Sequence, residues 1–234
     1  MKFLAHSGVP GLIAGGAPAA GAGAAPPASR SGDAGIVTAV GTPLVGRAVP
    51  GELADGRVLD RDGHAHRLGE AWKDGACLIS FLRHFGCTGC SEHVEDLSPR
   101  LLELSALGVR AVFVGNGEPR FIEGFVERHA LGDKHVEIFT DPTLAVFRAA
   151  GLLRSAWATF GPRGLADQLR GLSQGLGWGG MKGDQLQQGG SVLVDARGVV
   201  ALYHRSESLG GHARAADLVE VAMRLAASQA AVHV

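Results

Sequence analysis

Residues 76–90 of this 234-residue chain read ACLISFLRHFGCTGC, and this stretch decides the fold. Its first half, residues 76–83, is a continuous apolar run of strand length, which is typical of a strand covered on both faces. Its second half places Cys87 and Cys90 three residues apart, where a helix is predicted to begin. A buried strand that leads through a Cys-x-x-Cys motif into a helix indicates thiol redox chemistry.

The segments after this motif alternate between helix and strand patterns. The first helix is predicted to end at Gly108, with a kink at Pro99, because proline lacks the N–H for one helical hydrogen bond. The elements that follow are a strand at 109–115, a helix at 118–131 and a strand at 136–140. The order β-α-β-α-β implies parallel neighbouring strands. The chain is therefore predicted to be an α/β protein.

Further elements are predicted on both sides of this unit. Asp62-Gly63 is a turn dipeptide and predicts a hairpin within residues 56–72. Asp141 and Pro142 are predicted to cap and open a short helix that runs through Phe147. Residues 191–205 are predicted to form a second hairpin, and residues 212–228 a last amphipathic helix. Together these elements predict a central mixed sheet flanked by helices.

Two segments have an unusual composition. Nineteen of the first thirty residues are Ala, Gly or Pro, so we expect residues 1–35 to form a mobile tail outside a domain that spans 36–234. A signal peptide is the competing interpretation, but the apolar stretch is interrupted, and we expect a cytoplasmic protein. Residues 151–190 contain 11 glycines and are predicted to be an insertion or lid with helical pieces at about 152–160 and 163–174. Its aromatics Trp157, Phe160 and Trp178 either line a substrate pocket or form a small core of the insertion.

Composition limits the function classes. The 22 basic and 23 acidic residues give a net charge of -1, which leaves no electrostatic basis for nucleic-acid binding. No apolar run reaches the roughly 18 residues that a membrane-spanning helix needs. Three cysteines are too few for a secreted disulfide scaffold of this length. We therefore expect a soluble globular protein that acts on a small molecule.

The motif and its neighbours predict a catalytic cysteine. The free N–H groups of a helix start stabilise a thiolate on Cys87, and the thiolate is the nucleophilic form. Arg83 and His84 precede it and are expected to lower its pKa further, through positive charge or hydrogen bonds. Cys90 is close enough in sequence to form a disulfide with Cys87. The predicted catalytic residues are Cys87, Cys90, Arg83 and His84.

The alternative function is a non-catalytic zinc-binding or redox-sensing module. His84, Cys87, Cys90 and His93 recur every three residues and supply two imidazoles and two thiolates. Four consecutive ligands across a strand end and a helix start have difficulty in forming a tetrahedron, so no metal is expected. Cys77 lies inside the apolar strand and is interpreted as a core residue. His129, His135, His204 and His212 have no patterned partners and are assigned no role.

Several stretches together resemble the peroxiredoxin-like 2 group of the alkyl hydroperoxide reductase/thiol-specific antioxidant superfamily, which includes the prostamide/prostaglandin F synthases. The similarity covers about residues 50–228. Its sharpest parts are the block from Arg83 to Cys90 and the Gln-Gly-Gly of residues 188–190. The other matching stretches are VRAVFVG at 109–115, IFTDPTLAVFRAAGL at 138–152 and SVLVDARGVVALYHR at 191–205.

This resemblance implies a thioredoxin-like fold and a thiol-dependent reduction of a peroxide or endoperoxide. It makes Cys87 the attacking thiol and Cys90 the resolving one, with no cofactor beyond their disulfide. The partners it implies are a thioredoxin-type donor, which would reduce that disulfide, and a second copy of the chain in a homodimer. The residues predicted to bind substrate are Trp157, Phe160, Gln188 and Gly189. Residues 83–87 replace the usual peroxide-binding loop of peroxiredoxins, so we expect an organic substrate under the insertion.

Overall fold

The computed structural model describes residues 44–173 and 180–232. The predicted tail at 1–35 and Trp178 lie outside the described residues. Seven strands are present: β1 Arg57–Leu59, β2 Ala65–Arg67, β3 Ala76–Phe81, β4 Val109–Gly115, β5 Val136–Thr140, β6 Gly190–Val194 and β7 Val200–Arg205. The helices are α1 Gly51–Ala54, α2 Thr88–Leu97, α3 Leu101–Ala106, α4 Phe121–Arg128, α5 Ala145–Ala149, α6 Ala156–Phe160, α7 Pro162–Ser173 and α8 Ala215–Val232, with 3-10 turns at Leu68–Trp72 and Ser98–Arg100.

The strands form one mixed sheet in the order β2-β1-β5-β4-β3-β6-β7. Strands β3, β4 and β5 are parallel neighbours, whereas β1–β2 and β6–β7 are antiparallel hairpins at the two edges. The predicted mixed sheet flanked by helices is confirmed. No helix in the described part of the chain has the length and apolarity needed to cross a membrane.

Strand β3 lies between β4 and β6, and its two faces pack against different helices. Leu78 joins the cluster formed by α2, α3, α4 and α8, whereas Ile79 and Phe81 join the cluster formed by α1 and α5. All six residues of the strand are buried. The apolar run that predicted a doubly covered strand is thus explained by helices on both faces.

One predicted helix begins later than expected, and another is interrupted at Pro99, where a kink was predicted. The helix expected to open at Asp141 begins at Ala145, because Leu144 has a left-handed conformation with φ 60° that ends the preceding turn. The Asp141 carboxylate still caps this helix by accepting a hydrogen bond from the Val146 N–H at 2.8 Å. The helix predicted after Cys87 is divided at Pro99 by a 3-10 turn into α2 and α3.

The described part of the insertion contains the two predicted helical pieces, although the first is shorter than predicted. Helices α6 and α7 are separated only by Gly161, and α7 is twelve residues long. The inward face of α7 is small or polar, with Gly171 against Thr88 of α2 and Asp167 accepting a hydrogen bond from the Gly210 N–H at 2.8 Å. Its outward face carries the exposed leucines Leu165 and Leu169. Helix α7 therefore covers α2 with its polar side.

Candidate active site

The two cysteines of the motif lie where β3 ends and α2 begins. Cys87 is the residue before the helix and has an extended backbone, and Cys90 lies in the first helical turn. Both side chains are buried, and the three cysteines of the chain are free thiols. The Cys90 sulfur accepts the Arg83 N–H at 3.1 Å, so the end of the strand and the start of the helix are tied together.

The environment of Cys87 favours its thiolate. A hydrogen bond from the Cys90 thiol lowers the Cys87 pKa most, and the Arg83 charge and the N–H groups of Cys90 and Gly89 lower it further, against the opposing effect of burial. The Cys90 pKa is raised far above that of an ordinary thiol, because this side chain is buried and faces the Cys87 sulfur. The pair therefore contains one acidic thiol and one thiol that stays protonated.

Arg83 is a buried cation whose side chain is surrounded by neutral acceptors. It is 1% exposed. Its Nε donates to the Gln187 carbonyl at 3.0 Å, and its terminal nitrogens donate to the Thr159 hydroxyl at 2.8 Å, to the Gln185 carbonyl and to the Cys87 sulfur at 3.7 Å. None of the ion pairs within residues 44–173 and 180–232 involves Arg83. The Cys87 thiolate is thus the anion that the guanidinium contacts.

His84 lies beside Arg83 but does not supply positive charge. Burial, and then the Arg83 charge, lower the pKa of its imidazole to about 4. The ring is therefore neutral at neutral pH, and its Nδ1 accepts the Gly86 N–H at 3.2 Å. Of the two contributions predicted for His84, charge and hydrogen bonding, only hydrogen bonding is available at neutral pH.

A cavity of about 290 Å³ opens over Cys87. Its lining combines the polar side chains of Arg83 and His84 with apolar ones. The other lining residues are Thr88, Thr159, Phe160, Gln168, Leu172, Gln185 and Leu209. The cavity has room for a small organic molecule in contact with the Cys87 sulfur.

The four predicted substrate-binding residues occupy different places. Phe160 lines the cavity, whereas Trp157 is 76% exposed and does not line it. Gln188 lies behind the cavity and donates to the Thr159 hydroxyl at 3.1 Å. Gly189 has no space for a side chain, because a Cβ would clash with the Phe81 carbonyl. Of the predicted substrate-binding residues in the described part of the chain, only Phe160 lines the cavity together with Arg83, His84 and Cys87, and Cys90 lies behind Cys87.

The ligands of the alternative zinc site do not converge. In the described part of the chain, no three ligand atoms from His84, Cys87, Cys90 and His93 lie within 4.8 Å of one another. The His93 Nε2 contacts the Ser80 hydroxyl at 3.2 Å, and its ring stacks on His212 with centroids 4.9 Å apart. His93 is thus directed into the protein rather than toward the thiols' cavity.

Sequence reasoning missed the residues that hold the motif from the opposite side. His129 follows α4 and contacts the Ser91 hydroxyl at 3.3 Å and the Glu95 carboxylate at 2.9 Å. Ser91 in turn donates to the Cys87 carbonyl at 3.3 Å, and Arg128 donates to the Phe85 carbonyl at 2.9 Å. No spacing in the sequence relates these residues, because the contacts join α2 to the end of α4, and α3 and β4 lie between them in the chain.

Comparison with known proteins identifies relatives of this chain. A family model described as AhpC/TSA antioxidant enzyme matches residues 96–208, a region that begins after Cys90. Human peroxiredoxin-like 2C is 30% identical over 194 residues, which cover 78% of this chain and 84% of that protein. Human prostamide/prostaglandin F synthase is 31% identical over 147 residues, which cover 61% of this chain and 72% of that protein.

Solved structures show the same fold at low sequence identity. Peroxidoxin BcpB of Mycobacterium tuberculosis has a TM-score of 0.54 and 17% identity, with 77% of this chain and 96% of that chain covered. Peroxiredoxin 6 of Arenicola marina, solved as a cysteine-to-serine mutant, has a TM-score of 0.57 and 9% identity, with 76% and 71% covered. The chain has a thioredoxin-like peroxiredoxin fold and is a thiol-dependent oxidoreductase. It belongs to the peroxiredoxin-like 2 family of the AhpC/TSA antioxidant enzymes.

Proposed function

We propose that this protein reduces an organic peroxide or endoperoxide through a dithiol cycle of Cys87 and Cys90, and that an external thioredoxin-type thiol donor restores the dithiol. The observation that carries the proposal is the Cys87 sulfur, which lines the cavity and is contacted by a buried guanidinium. Peroxide reduction needs a thiolate, and these contacts favour one.

The first step is attack on the peroxide. The Cys87 thiolate forms a bond to one peroxide oxygen, and the O–O bond breaks. A hydroperoxide leaves a sulfenic acid on Cys87 and an alcohol, whose oxygen takes a proton from the medium. An endoperoxide leaves a sulfenate ester, and its second oxygen is protonated. Arg83 is placed to stabilise the negative charge that moves from sulfur to oxygen.

The second step forms the disulfide. The Cys90 sulfur attacks the oxidised Cys87 sulfur, and water or the alcohol leaves with the thiol proton. The cysteine spacing suits this step, because the Cys90 thiol already donates a hydrogen bond to the Cys87 sulfur. A dithiol donor then attacks the disulfide, becomes oxidised itself and returns both cysteines to thiols. Cys87 is the sulfur at the cavity, so it is the atom that the donor reaches.

The cavity wall supports an organic substrate. Phe160, Leu172 and Leu209 supply apolar side chains to the cavity that Arg83 and His84 also line. An apolar substituent on the peroxide gains free energy from contact with these side chains, whereas hydrogen peroxide has no such group. The natural compound is therefore expected to carry an apolar group next to its O–O bond.

Three cysteine variants test the cycle with a thioredoxin system and cumene hydroperoxide. Cys87→Ser is expected to abolish turnover, and Cys90→Ser to leave a trapped sulfenic acid or mixed disulfide on Cys87 that mass spectrometry detects. Cys77→Ala is the matched control, because Cys77 is buried in β3 away from the cavity, and it should retain turnover. Turnover that survives Cys87→Ser would overturn the proposal.

A second pair of variants tests the substrate class. Phe160→Ala removes part of the apolar wall, and Trp157→Ala removes an exposed aromatic of the same helix that does not line the cavity. We expect kcat/KM for cumene hydroperoxide to fall about tenfold in Phe160→Ala and to stay unchanged in Trp157→Ala, with hydrogen peroxide unaffected by both. Equal losses for both peroxides would contradict an apolar subsite.

A further inference from the structure

The hydroxyl of Thr159 lies at the centre of the contacts around Arg83. Thr159 belongs to α6 and is buried. Its oxygen accepts hydrogen bonds from the Arg83 guanidinium at 2.8 Å and from the Gln188 amide at 3.1 Å. Its proton points toward the carbonyls of Gln185 at 3.0 Å and Ser155 at 3.2 Å. A hydroxyl has one proton and two lone pairs, so this one is fully used.

The orientation of Arg83 depends on these acceptors. A guanidinium is planar, so the positions of its hydrogen-bond acceptors fix where its remaining N–H groups point. The carbonyls of Gln185 and Gln187 and the hydroxyl of Thr159 hold Nε and one terminal nitrogen. The other terminal nitrogen is then directed at the Cys87 sulfur at 3.7 Å. The side-chain acceptor among them is Thr159.

We propose that Thr159 is a positioning residue, which holds the Arg83 guanidinium against the Cys87 sulfur and so keeps Cys87 ionised for attack. The inference rests on the proposed function, because it takes Cys87 as the attacking thiol. It gives α6 a role in activating the thiol, in addition to the cover over the substrate that the sequence suggested. Through Thr159, helix α6 of the insertion would thereby contribute to the activation of Cys87.

The test compares Thr159→Val with Thr159→Ser. Valine has the shape of threonine but no acceptor, so Arg83 and Gln188 lose a shared partner, whereas serine keeps the hydroxyl. The readout is the rate of iodoacetamide labelling of Cys87 against pH, with the labelled residue located by mass spectrometry. We expect the midpoint of the Thr159→Val profile to rise by about one pH unit. The Thr159→Ser profile should match that of the unchanged protein.

Thr140→Val is the matched control. The Thr140 hydroxyl is also buried and makes three hydrogen bonds, to the Gly117 N–H and to the carbonyls of Gly115 and Gly117, without contact to Arg83. Its loss should lower the melting temperature to a similar extent and leave the labelling midpoint in place. A shift of equal size in Thr140→Val would show general loosening of the fold and overturn the inference.

The remaining outcomes are also decisive. An unchanged midpoint in Thr159→Val overturns the inference, since Arg83 would then hold its position without the hydroxyl. If Thr159→Val does not fold, Thr159→Ala, which is smaller and also lacks an acceptor, is compared with Thr159→Ser in the same way. The labelling midpoint measures the acidity of Cys87 without any peroxide. Absence of peroxide turnover with a shifted midpoint would therefore refute the proposed function and leave the positioning role intact.

Discussion

Cys77 in the middle of β3 and Cys87 at the start of α2 are both removed from water, with 0% and 3% of their surface exposed. Their acidities nevertheless move in opposite directions. Burial among apolar side chains raises the Cys77 pKa well above the ordinary thiol value. Burial also acts on Cys87, but the Cys90 thiol, Arg83 and two backbone N–H groups outweigh it and lower the pKa. The reactivity of a buried cysteine is thus decided by the hydrogen-bond donors and charge beside it.

The difference in acidity between Cys77 and Cys87 should shrink most when Arg83 loses its charge. Arg83→Met should raise the pKa of Cys87, although the Cys90 thiol and the backbone N–H groups would still lower it, and peroxide turnover at pH 7 should fall about a hundredfold. Arg83→Lys keeps the charge but lacks the planar fork, so we expect an intermediate loss. Steady-state turnover checks the prediction, and circular dichroism confirms that both variants fold. Turnover in Arg83→Met within twofold of the unchanged protein would contradict the role of the guanidinium.

The pH dependence of labelling sharpens the same comparison. A lowered pKa means that Cys87 stays ionised as the pH falls below the ordinary thiol range and is protonated only once the pH passes its own lowered value. The raised pKa values of Cys77 and Cys90 keep both thiols protonated over that interval. At mildly acidic pH, iodoacetamide should therefore label Cys87 at least about tenfold faster than either. Preferential labelling of Cys90 would reverse the assignment of the attacking thiol.

A smaller effect is expected from the opposite side of α2. His129→Gln removes the bridge between Glu95 and Ser91 and so loosens the support of the Cys87 backbone. We expect a loss of about 1–3 kcal/mol in the free energy of unfolding and a decrease of a few fold in turnover. His135→Gln is the control, because His135 is exposed and makes none of these contacts. Chemical denaturation of both variants shows whether the decrease in the free energy of unfolding comes from the lost contacts of His129 with Glu95 and Ser91.

The smallest effect on turnover and stability is expected from a substitution of Cys77. Cys77→Ala removes a buried sulfur and is expected to lower the free energy of unfolding by about 1 kcal/mol. Turnover and the labelling profile of Cys87 should not change, since Cys77 lies in the strand and lines no part of the cavity. A parallel loss of turnover would mean that the strand transmits strain to the motif.

The parts of the fold that the sequence predicts well are those with local causes. Strands β4 and β5 coincide with the predicted ranges, because continuous apolar runs bounded by turn residues define them. The start of α5 is displaced because a leucine adopts a left-handed backbone, which its residue type does not indicate. In the described part of the insertion, Gly171 serves close packing of α7 against α2, a role that glycine content alone does not indicate.

In the candidate site, too, the residues that are close together in the sequence were predicted and the distant ones were not. Arg83, His84, Cys87 and Cys90 stand within eight residues, so the motif alone predicts them. Thr159 and the carbonyls of Gln185 and Gln187 come from 76 to 104 residues further along the chain, and only folding shows that they meet Arg83. The neutral state of His84 was not predicted either. It results mainly from burial of the side chain, which the sequence does not show. Local patterns thus locate the proposed nucleophile, and long-range contacts position the charge beside it.

Gly89 imposes an evolutionary constraint on the motif. Of the two residues between the cysteines, Thr88 faces the cavity, whereas a Cβ at Gly89 would clash with the Leu209 carbonyl of the loop before α8. A lineage that adapts this dithiol to another substrate can exchange residue 88 for a side chain that still fits against Gly171 of α7. Exchange of residue 89 requires a compensating change in a loop that lies 120 residues away in the sequence. We expect natural variants to diversify the first intervening position and to retain glycine at the second.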